Sequence, residues 1–156
     1  MNCMTVKPFV DTSVLIYGYD NTAGSRHQAA AALLRCLWQR GGGFLSTQVL
    51  QEFYVNVTRK IPQPLTAASA RGIVQDYCAW HSEPISCETV LQASEVQERN
   101  QLSFWDALIV AAATRSGADL LLSEDLKAGQ IVEGVRIVIP FVDADPYLRE
   151  LLECCG

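Results

Sequence analysis

The sequence predicts an α/β fold in which a parallel sheet of four or five strands lies between two layers of helices. Short apolar runs alternate with longer amphipathic segments, which is typical of parallel strands joined by helices. The chain has 156 residues, 49% of them hydrophobic, which is enough for one domain with a substantial core. We therefore expect a three-layer α/β/α sandwich over residues 1–156, with its core at about 8–140.

Periodicity and punctuation residues place the individual elements. Apolar side chains recur at helical spacing in 25–40, and three glycines follow that segment. The helix at 47–59 stops before two prolines, and the helix at 103–116 is closed by Gly117. The remaining helices are predicted at 13–19, 66–80, 88–99 and 146–154, and the strands at 8–10, 44–45, 84–86, 119–122 and 135–139.

Several protein classes are excluded by composition and local pattern. The longest apolar-rich run, 108–114, is far shorter than the roughly 20 residues of a membrane helix. The first residues do not resemble a signal peptide, so we expect a cytoplasmic protein without a membrane partner. The six cysteines include no CxxC pair and do not indicate a disulfide framework. Cys36 and Cys78 are predicted to be buried, and Cys154 and Cys155 to be exposed and oxidisable.

Four acidic residues follow predicted strands or lie on predicted helices. Asp11 follows the first strand, Glu52 borders the apolar face of helix 47–59, Asp106 lies in the first turn of helix 103–116, and Asp125 follows strand 119–122. Each has a structural interpretation when taken alone. Asp11 and Asp125 suit caps or turns, Glu52 suits a solvated border, and Asp106 forms a capping-box pattern with Ser103.

Taken together, the same four acids suggest a metal site. The carboxyl ends of parallel strands meet at one edge of a sheet, where converging carboxylates repel one another. Mg²⁺ or Mn²⁺ would relieve this repulsion, because both prefer oxygen ligands. Ser13 and Ser123 could hold metal-bound water, and Glu124 lies beside Asp125. The two histidines fall outside all four segments.

The four acidic segments, in the order VDTSVLIY, the helix of Glu52, FWDALIVAAA and LLSEDL, resemble the PIN domain family. The closest likeness is to the VapC-type toxins of bacterial toxin–antitoxin pairs. The resemblance implies a Mg²⁺- or Mn²⁺-dependent ribonuclease that cleaves single-stranded or looped RNA. It also implies a homodimer, a small antitoxin partner, and Asp11, Glu52, Asp106 and Asp125 as acidic ligands. Ser13 and Ser123 would be polar accessories, and the role of Glu124 is open.

The net charge of −5 is at first sight unfavourable for a protein that binds RNA. However, when the four acids and Glu124 are set aside, twelve acidic residues face twelve basic ones. A bound cation would make the mouth of the site attractive to phosphate. Four basic residues follow the site segments and could contact the RNA backbone or serve only as solubilising charges: Arg59, Lys60, Arg115 and Lys127.

Other functions fit the sequence less well. A phosphorylated receiver domain needs an acidic pair after its first strand, where this chain has Asp11, Thr12 and Ser13. A flap-type DNA nuclease would need more acids and a larger DNA-holding region. A housekeeping RNA-processing nuclease and an inactive RNA- or protein-binding module remain alternatives.

The helices at 25–40, 47–59 and 66–80 carry more apolar residues than one small sheet obviously needs. Four aromatic residues on them are candidates for a groove or a dimer surface, with core packing as the alternative: Phe53, Tyr54, Tyr77 and Trp80.

Overall fold

The computed structural model describes residues 6–141 and 145–155, and within them a six-stranded sheet is flanked by seven helices. The strands are β1 (Pro8–Val10), β2 (Phe44–Ser46), β3 (His81–Glu83), β4 (Leu120–Leu122), β5 (Ile131–Val132) and β6 (Val135–Val138). The helices are α1 (Thr12–Tyr19), α2 (Ser25–Gln39), α3 (Thr47–Arg59), α4 (Ala67–Tyr77), α5 (Cys87–Asn100), α6 (Phe104–Ser116) and α7 (Pro146–Glu153).

The strand order, β3-β2-β1-β4-β6-β5, puts β1 at the centre of the sheet. β1 pairs in parallel with β2 on one side and with β4 on the other, where Val10 is opposite Leu122. The predicted α/β class and its parallel sheet are confirmed, with five of the six described strands parallel and β5 antiparallel to β6. From β1 the chain continues to β2 and β3 on one side, and it later returns to β4 and β6 on the other side of β1. The topological switch point therefore lies between β1 and β4.

The predicted strand at 84–86 is wrong, because β3 comes immediately before it. β3 is a partly exposed edge strand with the sequence His-Ser-Glu, so it lacks the apolar signal used for the prediction. Ser86 is instead the N-cap of α5, and its side chain accepts a hydrogen bond from the backbone N–H of Thr89. The two residues of β5 were also not predicted.

The core forms where the central strands meet the apolar faces of the helices. All residues of β1 and β4 are buried, and α6 is buried along most of its length. Three of the four aromatic candidates for a surface are core residues, because Phe53, Tyr77 and Trp80 are at most 4% exposed. Only Tyr54 remains half-buried.

The cysteine predictions need two corrections. Cys36 is buried, but it forms a disulfide with Cys155, with the two Cα atoms 5.4 Å apart. Cys154 is also disulfide-bonded. Cys78 is exposed rather than buried, because it follows α4 at the surface. The bond between Cys36 and Cys155 joins the end of the chain to α2, across a separation of 119 residues.

Among the helices of residues 6–141 and 145–155, none is long and apolar enough to cross a membrane.

Candidate active site

Asp11 lies at the carboxyl end of β1 and is only 4% exposed. It is the N-cap of α1, where its Oδ1 accepts a hydrogen bond of 2.6 Å from the backbone N–H of Thr12. Its Oδ2 accepts a bond of 2.7 Å from the hydroxyl of Ser123, the residue that follows β4. The carboxylate therefore serves as the predicted cap and also bridges the two strands at the switch point.

The environment of Asp11 disfavours its charge. Burial raises the pKa of Asp11 from 3.8 to about 7, and the nearby Asp125 and Glu52 carboxylates add to this rise. The hydrogen bonds from Ser123 and Thr12 oppose it. Because burial outweighs these bonds, a neutral or metal-paired Asp11 is more stable here than a free carboxylate.

Glu52 is oriented by Thr12, a residue that the sequence analysis did not single out for the site. The Thr12 hydroxyl donates a hydrogen bond of 2.8 Å to Oε1 of Glu52, which joins the start of α1 to α3. Asn56 donates to the backbone carbonyl of Glu52 rather than to its carboxylate. The position of Thr12 between Asp11 and Ser13 in the sequence could have suggested this role, since a residue adjacent to one predicted ligand often orients a second ligand.

Asp106 and Asp125 approach from two further segments. Ser103 caps α6 by accepting a hydrogen bond from the backbone N–H of Asp106, so the predicted cap is present and the Asp106 carboxylate is half-exposed. Asp125 lies in the loop after β4, where its backbone N–H donates to Oγ of Ser123. Burial and the charges of Asp106 and Glu124 raise the pKa of Asp125. No helix begins at Asp125, so it is a turn residue there.

The donor set suits a hard divalent cation. The charges of Asp125 and Glu52 raise the pKa of Asp11, and the charge of Asp106 raises that of Asp125, so these carboxylates act on one another electrostatically. The buried hydroxyl of Ser13 has no hydrogen-bond partner among the described residues, which leaves it able to bind a water molecule. Within those residues, however, no three acidic, histidine or cysteine side chains are gathered closely enough to enclose an ion.

Both carboxylate oxygens of Glu124 accept hydrogen bonds from two other side chains. Its Oε1 accepts a hydrogen bond of 2.7 Å from the Tyr17 hydroxyl, and its Oε2 accepts one of 3.1 Å from Nε of Arg26. The bond to Glu124 raises the pKa of Tyr17. Tyr17 and Arg26 gave no signal in the sequence, because they reach Glu124 across 107 and 98 residues.

The predicted basic residues lie at different distances from the acids. Lys127 is exposed in the loop of Asp125. Arg59 and Lys60 are at the end of α3, about 10 Å along the helix from Glu52. Arg115 lies at the opposite end of α6, about 14 Å from Asp106, and donates to Gln92. The structure therefore does not bring Arg115 together with the acidic group.

Several solved structures are similar to this chain, among them the following three. VapC20 of Mycobacterium tuberculosis, described as a sarcin–ricin loop cleaving toxin, is 25% identical, with a TM-score of 0.59 over 76% of this chain and 92% of that one. A toxin–antitoxin complex from Klebsiella pneumoniae is 18% identical, with a TM-score of 0.63 over 86% and 98%. DNA-bound VapBC from Salmonella typhimurium is 14% identical, with a TM-score of 0.56 over 85% and 97%, and these last two likenesses show the fold alone.

No curated protein matches the chain. The family model for the PIN domain matches residues 9–133. This range includes all four acids and the sheet, apart from the first residue of β1 and the whole of β6. This match confirms the family resemblance of the sequence, and the chain belongs to the PIN domain family.

Proposed function

We propose that this protein is a divalent-metal-dependent endoribonuclease that hydrolyses single-stranded or looped RNA, and that it is the toxin of a toxin–antitoxin pair. The main support is that Asp11 and Asp125 follow β1 and β4 and experience the charges of Glu52 and Asp106, in a chain of the PIN domain family. The description of VapC20 as a toxin that cleaves the sarcin–ricin loop supports an RNA substrate.

In this mechanism the four acids would hold Mg²⁺ or Mn²⁺, which would supply positive charge to lower the pKa of a water molecule and to neutralise the phosphate. Ser123 keeps Asp11 in place from β4, and Thr12 orients Glu52 through its hydrogen bond to Oε1. Ser13 offers a hydroxyl to water at the same edge. No protein nucleophile is required, so the attacking oxygen comes from water.

The test is cleavage of ribosomal RNA by the purified protein in Mg²⁺ or Mn²⁺, with the sarcin–ricin loop as the first site to map. We expect cuts at a few loops, little cutting of double-stranded RNA, and products with a 3′-hydroxyl and a 5′-phosphate. Asp106→Asn should lower the rate by orders of magnitude, whereas Asp76→Asn, at an exposed aspartate of α4, should not. Full activity in EDTA or a 2′,3′-cyclic phosphate product would refute the mechanism.

An antitoxin segment is the proposed occupant of an apolar groove between α3 and α4. The groove has a volume of about 390 Å³ and is lined by Leu50, Gln51, Tyr54, Val55, Arg71 and Val74. It lies on the helix that carries Glu52, so a segment bound there is close to the acidic group. Similar structures described as toxin–antitoxin complexes support such a partner.

The groove can be tested with the proposed antitoxin, which is to be sought as a small protein encoded next to this gene. Val55→Lys places a charge in the groove at a position that is 45% exposed, so folding should be unaffected and binding of that protein lost. Val90→Lys, on α5 and 42% exposed, is the matched control. Equal binding by both variants would exclude the groove. We also propose a cytoplasmic homodimer formed by a single domain, and a stable monomer in light scattering would exclude the dimer.

A further inference from the structure

Arg26 is a basic residue next to the acidic group that neither the family match nor the sequence analysis assigns to RNA. Its Nε donates a hydrogen bond of 3.1 Å to Glu124, which lies between Ser123 and Asp125. The guanidinium group thus contacts the loop that carries Asp125 through the side chain of Glu124. None of the four basic residues chosen from the sequence has a described contact of this kind with the site loop.

The guanidinium group of Arg26 is held in a fixed place by its surroundings. Its central carbon lies 5.9 Å from the ring centroid of Tyr17 and 5.7 Å from that of Phe141. The two rings meet edge to face, 5.3 Å apart, and Tyr17 also holds the carboxylate of Glu124. An ordered side chain loses less entropy when it binds a ligand, which favours recognition.

The same guanidinium group remains available for another partner. The Arg26 side chain is 52% exposed, and among the described residues its two terminal nitrogens donate no hydrogen bond. It borders a hollow of about 260 Å³ that it shares with Ser25, Ala29, Pro140 and Phe141. Since a water molecule occupies about 30 Å³ of liquid, this space admits a phosphate group.

Helix stability does not account for the position of Arg26. It lies in the first turn of α2, where the helix dipole favours an anion and disfavours a cation. An exposed ion pair with Glu124 adds little stability. By contrast, the flat fork of an arginine matches the oxygens of a phosphate and binds them in pairs.

We propose that Arg26 binds a backbone phosphate of the RNA substrate on the α2 side of the acidic group, and that Glu124 positions Arg26 rather than serving as a metal ligand. Both carboxylate oxygens of Glu124 are already engaged by protein donors. This inference rests on the proposed ribonuclease function, and it identifies where the RNA strand passes as it leaves the site.

The test compares Arg26→Gln, Glu124→Gln and Arg35→Gln on a hairpin RNA carrying the loop that the wild-type protein cuts first in ribosomal RNA. Arg35 is an exposed arginine of the same helix, so its variant controls for the loss of one positive charge. Arg26→Gln should raise KM about tenfold with little change in kcat, as expected for a lost charge-assisted bond to substrate. Glu124→Gln should raise KM less than Arg26→Gln does, because Arg26 keeps its charge but loses the carboxylate that positions it. Its kcat and its response to Mn²⁺ should not change, since Glu124 is not a metal ligand in this proposal.

A purely structural ion pair predicts a different pattern, in which both variants lose kcat together and neither changes KM selectively. That pattern, or an unchanged KM in Arg26→Gln, would overturn the inference. The salt dependence adds a second measure. The slope of log(kcat/KM) against log salt concentration should fall by about 0.7 in Arg26→Gln, the value for one phosphate contact to a single strand.

Direct binding separates this inference from the proposed function. Fluorescence anisotropy with a labelled sarcin–ricin loop hairpin, chosen independently of any cleavage by this protein, should show in Ca²⁺ about tenfold weaker binding for Arg26→Gln than for Arg35→Gln. If the wild-type protein does not cleave RNA in any divalent metal, the proposed function fails, and the anisotropy still decides the role of Arg26. If the wild type cleaves and both variants bind equally, only the role of Arg26 is refuted.

Discussion

Replacing Asp11 with asparagine should stabilise the metal-free protein at alkaline pH. Burial raises the pKa of Asp11 from 3.8 to about 7. Since one pKa unit corresponds to about 1.4 kcal/mol, keeping this carboxylate ionised in the folded protein costs up to about 4 kcal/mol. Asparagine has nearly the same shape and no charge, so the variant avoids this cost.

The net gain is smaller than the full electrostatic cost. Asparagine has one oxygen where Asp11 has two, so one of the donors Ser123 and Thr12 loses its acceptor, at a cost of about 2–3 kcal/mol in this buried place. We therefore expect Asp11→Asn to raise the free energy of unfolding by about 1–2 kcal/mol above neutral pH. For a chain of this length, this corresponds to a rise in Tm of roughly 2–8 °C.

The pH dependence has a definite sign. The pKa of Asp11 is higher in the folded protein than in the unfolded chain, so the folded state binds the proton more tightly. The stability that this proton provides is fully present below about pH 4 and is lost as the pH rises through about 7. Wild-type stability should fall relative to Asp11→Asn over this interval, and the difference should be constant above about pH 8.

Urea denaturation in EDTA, at several values between about pH 5 and pH 8, measures this difference. Asp76→Asn removes an exposed aspartate on α4 and controls for net charge. Addition of Mn²⁺ at millimolar level should then stabilise the wild type and not Asp11→Asn, because ligand binding to the folded state shifts the equilibrium. Parallel stability curves for the wild type and Asp11→Asn, or equal responses to Mn²⁺, would refute the reasoning.

Three other predictions follow from the structure. Thr12→Val should lower kcat/KM about 10- to 100-fold in the RNA cleavage assay, because Glu52 loses the hydrogen bond that orients it. Thr58→Val is the control and should have little effect, because the Thr58 hydroxyl donates only to backbone carbonyls of its own helix. Cys155→Ser should lower the free energy of unfolding by about 2–5 kcal/mol in urea without reductant, and Cys78→Ser at a free, exposed cysteine should not. The apparent affinity for Mn²⁺, from thermal titration, should weaken as the pH falls below about 7, because the proton on Asp11 competes with the metal; equal affinity at about pH 6 and pH 8 would contradict this.

Local sequence signals predict most of the fold. The helices are found because their apolar spacing, caps and terminating glycines or prolines are encoded within one segment. The exceptions are strands whose stability comes from partners elsewhere. β3 is polar and forms because it pairs with β2, and β5 has only two residues and forms because it pairs with β6.

The sequence predicts only those residues of the candidate site that follow a strand or lie near the start of a helix. Asp11 and Asp125 are predicted in this way, because β1 and β4 are strongly apolar and the acids come one and three residues after them. The side chains that orient the site are not found, because their contacts join distant segments. Thr12 meets Glu52 across 40 residues, and the disulfide of Cys36 closes a separation of 119 residues.

The contacts across the switch point also explain how a chain with a net charge of −5 can present a site for RNA. The excess of acids over bases equals the five acids of the β1 and β4 edge, so the remainder of the chain is neutral. Of these five, Asp11 is about half protonated near neutral pH without metal, and Glu124 is paired with Arg26. In the proposed site the repulsion of a phosphate would therefore come mainly from Glu52, Asp106 and Asp125, a divalent cation would offset most of that charge, and Arg26 would face the strand beside it.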